Sequence, residues 1–282
     1  MKVGREEVRL LRDLERGVDL TREFPGRINT LIEAGIIESF GIRLFLPLLI
    51  GGRWSLALFK ISGLQTDPLH KIEFPIELGQ NRSIPAGLLP ELTITCYAQD
   101  PKEELARIKE LKPEYVELEI LREFDFPIAF PLSTEEKAII EVLIEKPLST
   151  INEIATKLSI SSAQVRAKLS RLQLDENQKG VMTIVPTINW SRIENFIHLH
   201  IGVETGLSEE MIQGRLKEIG LESAGWYRAT IYQLEFDLWE PIGLVQILRR
   251  LSDIPDLRLA GLLIAERSIV QDHWIRRVVE GM

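Results

Sequence analysis

The residues in this chain best suited to chemistry are short polar and basic side chains spaced along one stretch, Ser161 to Arg171 (SSAQVRAKLSR). Val165, Leu169 and Leu172 recur at i, i+4, i+7, which makes them the inward stripe of a helix. Ser161, Ser162, Gln164, Arg166, Lys168 and Arg171 then fall largely on its other faces. In a DNA major groove, Gln pairs bidentately with adenine, and Arg or Lys with guanine. Gln164 is therefore a candidate adenine reader, and Arg166 or Lys168 a candidate guanine reader. Ser161 and Ser162 can donate to phosphates at the helix start. Arg171 suits a phosphate contact or a core-edge ion pair. A structural helix with a solvated charged face accounts for the same residues. In the first half of the chain, Arg22, Arg27 and Asn29 are the analogues.

Other constellations are sparser. His198 and His200 sit two apart in an alternating segment, so they share one side of a strand. Such a pair suits a metal, but no third ligand has helpful spacing, and polar residues on a half-buried sheet face account for it equally. His273, Arg276 and Arg277 suit an anion or a solvated tail. Trp226, Tyr227, Arg228, Tyr232 and Trp239 form the richest aromatic cluster, fitting either a ligand pocket or a packing seam. The single cysteine, Cys96, lies in an apolar strand and excludes an intramolecular disulfide. No nucleophile–base pattern, phosphate-cradling glycine loop or HExxH sequence stands out, so no catalytic residue, metal or cofactor is assigned.

The elements that must position these residues show a weak internal repeat. EEVRLLRDL at 6–14 and EEKAIIEVL at 135–143 are 129 residues apart, nearly half the chain. A period this long means duplicated domains rather than a solenoid. Ser133/Glu136 and Thr150/Glu153 have capping-box spacing, which predicts helices over 134–146 and after Thr150. With the helix that follows Ser161, these form a helix-turn-helix. The β-branched segment 180–188 (GVMTIVPTI) reads as a hairpin strand or wing. Residues 194–282 then follow the order β-α-β-β-α-β of a ferredoxin-like split unit. The first half is a worn copy. Helices are expected over 5–16, 25–34 and 101–111, and strands over 42–49, 54–61 and 115–121. Only Gly17 to Phe24 is left for a middle helix, and the stretch 65–86 has no periodicity in which to place one.

The segment Ile151 to Leu172 (INEIATKLSISSAQVRAKLSRL) resembles the helix-turn-helix of the leucine-responsive/AsnC (feast/famine) family of bacterial and archaeal transcription regulators. The matching pieces are Ile154-Ala155-x-Lys157-Leu158, Ile160-Ser161, and Val165-Arg166-x-Lys168-Leu169-x-Arg171-Leu172, with Gly180 as the family's glycine entering the wing. The resemblance covers about 133–282 and reaches 1–127 only through the repeat. It implies an α+β chain, a winged helix-turn-helix plus ferredoxin-like βαββαβ domain, duplicated in tandem. The implied units are 1–60 (degenerate winged helix-turn-helix), 61–130 (divergent ferredoxin-like), 133–192 (winged helix-turn-helix) and 193–282 (ferredoxin-like sensing and assembly domain).

As function the resemblance implies a DNA-binding regulator, not an enzyme, with a recognition helix at about 161–173. Trp226, Tyr227 and Arg228 stand where an effector would bind, although Arg228 lies near where the family carries an acid. The implied partners are double-stranded DNA, a second copy through the α+β domains, a small-molecule effector and a basal transcription factor. Siroheme decarboxylases resemble the same architecture and work on a tetrapyrrole with His, Tyr and Arg. That is the alternative function, with Tyr227-Arg228 as its faint echo.

Composition bounds these readings. The chain has 282 residues, 45% hydrophobic and 27% charged, which suits two globular domains or one large one. No apolar run approaches the ~20 residues of a membrane-spanning helix, and the charged start MKVGREE predicts no secretory signal. A cytoplasmic protein is expected. The net charge of −8 argues against a chain coated with basic residues for nucleic acid. It is unevenly spread: segments 1–60 and 133–192 carry +2 and +1, and the rest carries −11. DNA attraction would have to come from local clusters and depend strongly on salt.

Overall fold

The computed structural model describes residues 2–17, 27–64, 67–84, 89–174, 180–221, 224–228, 231–238 and 241–282. Its α+β architecture repeats in the two halves. The first comprises α1 (Arg5–Arg16), α2 (Arg27–Glu33), β1 (Ile37–Leu44), α3 (Leu46–Ile50), β2 (Gly52–Ser62), β3 (Phe74–Ile84), β4 (Leu92–Ala98), α4 (Pro101–Lys109) and β5 (Tyr115–Phe126). The second comprises α5 (Thr134–Glu145), α6 (Ile151–Leu158), α7 (Ser162–Leu172), β6 (Met182–Asn189), β7 (Ile197–Thr205), α8 (Glu209–Glu218), β8 (Ala224–Arg228), β9 (Ile231–Leu238), α9 (Pro241–Ser252), β10 (Leu257–Val270) and α10 (Ile275–Gly281).

The helix-turn-helix forms where its caps dictate. Ser133, Thr150 and Ser161 each accept from the backbone N–H three residues on, and Glu136, Glu153 and Gln164 reach back to complete capping boxes. Lys146 and the Thr150 backbone and hydroxyl groups hold the Glu153 carboxyl down to about 2. Ser159 turns the chain in the left-handed region (φ 56°) between α6 and α7. Val165, Leu169 and Leu172 are fully buried, as their spacing predicts. Gly180 enters β6 at φ 87°, where a Cβ would lie 2.1 Å from the Gln173 carbonyl oxygen.

The halves join edge to edge. Each split unit has the strand order 4-1-3-2, and the strands run β5-β2-β4-β3-β10-β7-β9-β8. β3 meets β10 antiparallel, from Ile84↔Leu262 to Glu77↔Val270. The expected wing, β6, forms no hairpin within its own half. It pairs antiparallel with β1 of the first half, from Ile37↔Ile188 to Leu44↔Met182. The fully buried β6 and the partly exposed β1 thereby satisfy each other's ladders. Beneath them α1, α2, α5, α6, α7 and α10 share one apolar core, while each split unit has its own.

Several segments differ from expectation. β2 pairs with β4 and β5, so the first split unit starts at Gly52 rather than at 61. The strand expected over 42–49 ends at Leu44, because Pro47 fits the first turn of α3. In the aperiodic stretch 65–86, a single 3-10 turn at Leu69–Lys71 precedes β3, and no α-helix occurs among the described residues. The C-terminal segment is a packed helix rather than a tail: Trp274, Ile275 and Val279 are buried and α10 packs on α5, while His273, Arg276 and Arg277 stay exposed. No helix among the described residues is long and apolar enough to cross a membrane.

Candidate functional site

Strand alternation builds a polar face where the halves meet. On β7, Leu199, Ile201 and Val203 join the helix-covered core, so His198 and His200 turn to the other face. On β3 and β4, Leu78, Ile94 and Cys96 point to the covered side, leaving Gly79, Asn81, Thr93 and Thr95 opposite. These small residues leave a cavity of about 300 Å³ over β2, β4, β3, β10 and β7. Its floor is five strands wide, roughly 19 Å at ~4.8 Å per strand. Arg12 and Glu15 of α1, Trp190, Glu77 and Arg267 complete the walls. A second cavity of about 250 Å³ adjoins it, sharing Glu15, Glu77 and Ser268 and adding Arg43.

The site is held together across the halves. The Arg12 guanidinium reaches His198 Nδ1 at 2.5 Å and Glu15 at 3.1 Å, and lies 4.8 Å over the Trp190 ring. His198 Nε2 and His200 Nε2 are 3.1 Å apart. Converging imidazole nitrogens are what a metal ion wants, but a fixed guanidinium beside them repels a cation and suits an anion. Among the described residues, no group of three metal-ligating side chains forms. Arg43 pairs with Glu77 at 2.8 Å, and Arg267 pairs with Glu38. Each nevertheless keeps a buried Nε–H with no hydrogen-bond partner. Burial and then the nearby Glu77 push the Glu15 carboxyl up, against the pull of Arg12. The seam thus gathers guanidinium groups, two imidazoles and an acid whose protonated form burial favours.

The expected DNA-contact residues are distributed differently. Ser161 Oγ and Gln164 Oε1 are committed to each other in the cap, and Ser162 Oγ donates to Asn152 at 2.9 Å. Lys168 turns to Ser133 and Glu135, each at 3.1 Å. Arg171 binds Glu136, the Pro131 carbonyl at 2.7 Å and the Phe130 ring face. Burial alone would raise the Glu136 carboxyl, but the Arg171 and Ser133 hydrogen bonds hold it below the usual range. Lys168 and Arg171 thus fasten α7 to the start of α5. Arg166 is exposed and has no side-chain partner among the described residues. Arg27 pairs with Glu6 at 2.6 Å. Arg22 lies outside the described residues, as do the side chains of Trp226, Tyr227 and Arg228, whose backbone forms β8.

Of the seam residues, sequence spacing singled out only His198 and His200. Arg12, Glu15, Arg43, Glu77 and Arg267 come from elements far apart in the chain. The one local signal is the polar run Gly79-Gln80-Asn81 inside a strand.

No family model matches the chain, and no curated protein matches it. Solved structures are similar. A siroheme decarboxylase, NirDL, aligns with 98% of this chain and 97% of its own, at 15% identity and TM-score 0.47. The Mycobacterium tuberculosis leucine response regulatory protein LrpA aligns with 47% of this chain and 92% of its own, at 15% identity and TM-score 0.29. E. coli AsnC aligns with 51% and 95%, at 12% identity and TM-score 0.31. Likenesses of this size transfer no function.

Proposed function

We propose that this chain binds a planar, carboxylate-bearing small molecule at the seam between its halves, with siroheme as the first compound to test. The observation that carries this reading is the gathering of Arg12, Arg267, His198 and His200 around one cavity, with Arg43 lining the adjoining one. A carboxylate held among guanidinium groups gains charge-assisted hydrogen bonds. The broad, flat floor of small residues accepts a planar molecule, and the two cavities together fall in the usual range for ligand sites.

The chemistry this arrangement suits is decarboxylation. Arg12 and Arg267 hold the carboxylate, the C–C bond to it breaks, and CO2 leaves. A proton from Glu15 then replaces it on carbon. Glu15 fits that role because burial raises its pKa toward the working range of a general acid. The test is an absorbance titration of the full chain with siroheme, followed by mass spectrometry of the bound compound. Saturable binding and loss of CO2 are expected. Absence of binding overturns the reading.

A second reading, a DNA-binding regulator, is favoured by the exposed Arg166 on α7, flanked by the small residues Ser162, Ala163, Ala167 and Ser170. This face allows close approach to a groove. A gel-shift on the DNA upstream of the chain's own coding sequence, with Arg166→Ala beside it, separates the two. A shift lost in that variant, with no siroheme binding, would favour the regulator.

A further inference from the structure

A second cavity lies away from the seam. It holds about 330 Å³ and is walled by Leu69, His70, Lys71, Ile72 and Glu73, by Arg107 of α4, and by His273, Trp274 and Arg277 at the start of α10. It exists because the first split unit has only a 3-10 turn where the second has α8, and the chain's last helix closes against that gap.

Three permanent cations and two imidazoles face one wall acid, Glu73. Lys71 is paired with Glu110 at 3.0 Å, and Arg107 with Glu103 at 2.7 Å and Glu104 at 3.2 Å. Arg277 has no acid partner among the described residues; its guanidinium sits 6.0 Å from the Phe74 ring centroid. His70 and His273 have no hydrogen-bond partner there either. The neighbouring acid Asp272 accepts from the Ile42 N–H at 3.3 Å and feels the His273 imidazole electrostatically. Arg276 is turned away, 3.6 Å from Glu145. The walls are firm: the Trp274 indole donates to the Pro75 carbonyl at 2.5 Å and its ring meets Phe74 edge to face at 5.4 Å.

We propose that this groove is an anion site for the phosphate group of a small phosphate ester. The Arg277 guanidinium fork and the His70 and His273 imidazoles, lining one groove from separate segments, match a tetrahedral dianion, which presents oxygens in several directions. The groove opens to solvent, so the rest of the ester extends outward. Nothing in the seam chemistry requires this site.

The experiment is calorimetric titration of the full chain with inorganic pyrophosphate. Saturable binding is expected, weakened about tenfold or more in Arg277→Gln. Lys71→Gln, in a different element, is expected to weaken it in the same direction and guards against a local defect in α10. The thermal melting midpoint of the unliganded chain serves as the folding control and stays unchanged in both. No saturable binding to the parent chain, or equal binding in parent and both variants, overturns the proposal.

Discussion

Arg12, on the first helix of the first half, meets His198, on β7 of the second half, at 2.5 Å across 186 residues of chain. That contact joins the halves at the point where the candidate ligand cavity opens. The Val3 N–H and carbonyl, each 3.0 Å from the Asn195 amide, hold the same helix in place from its other end.

Arg12→Met is therefore expected to cost about 1.5–3 kcal/mol, the range for a charge-assisted hydrogen bond in a partly buried place. It should also weaken any carboxylate ligand at the seam. Urea unfolding with and without siroheme checks both; a variant as stable as the parent would show that the contact contributes nothing.

Glu15 sets a pH dependence of defined sign. Its folded-state pKa is raised, so its charged form is disfavoured on folding. Stability is lost as pH rises from the ordinary carboxylate value, about 4.3, through the raised value. Glu15→Gln removes that dependence. Relative to the parent, the variant should gain stability between pH 4 and pH 8, read from urea midpoints at the two pH values.

Glu136 works in the opposite direction. Its folded pKa is lowered, so it contributes stability above about pH 4.3 that is lost as pH falls through the folded value. It caps α5 and binds Arg171 of α7 at once. Glu136→Gln is expected to cost about 2 kcal/mol at neutral pH, and less in acid. Thermal melts at pH 7 and pH 3 measure the difference.

Gly180 and Gly35 separate two kinds of strain. Both have positive φ, 87° and 67°, but only Gly180 would drive a Cβ into backbone, at 2.1 Å. Gly35→Ala is expected to cost about 1 kcal/mol for the left-handed conformation alone. Gly180→Ala must also displace the Gln173 carbonyl, so a clearly larger loss is expected. Equal melting temperatures for the two variants would contradict this.

The helix-turn-helix was legible because it is local. Capping boxes, the 3.6-residue stripe of Val165, Leu169 and Leu172, and the alternation that puts His198 and His200 on one face all act within a few residues. The duplication was legible for the same reason, as a repeated helix-start pattern. Tertiary structure alone decided what these elements meet. β6 carries the composition of a strand but nothing that names β1 as its partner. Lys168 reads as a DNA-facing cation, and Arg171 as a phosphate contact or a core-edge ion pair, until α5 is seen to bring Glu135 and Glu136 against them. The seam needs α1, β1, β3, β7 and β10 in one place, and its unsatisfied guanidinium groups arise only when those elements exclude water together. Propensity and periodicity set each element, whereas burial, pairing and the cost of an unpaired charge depend on neighbours distant in the chain.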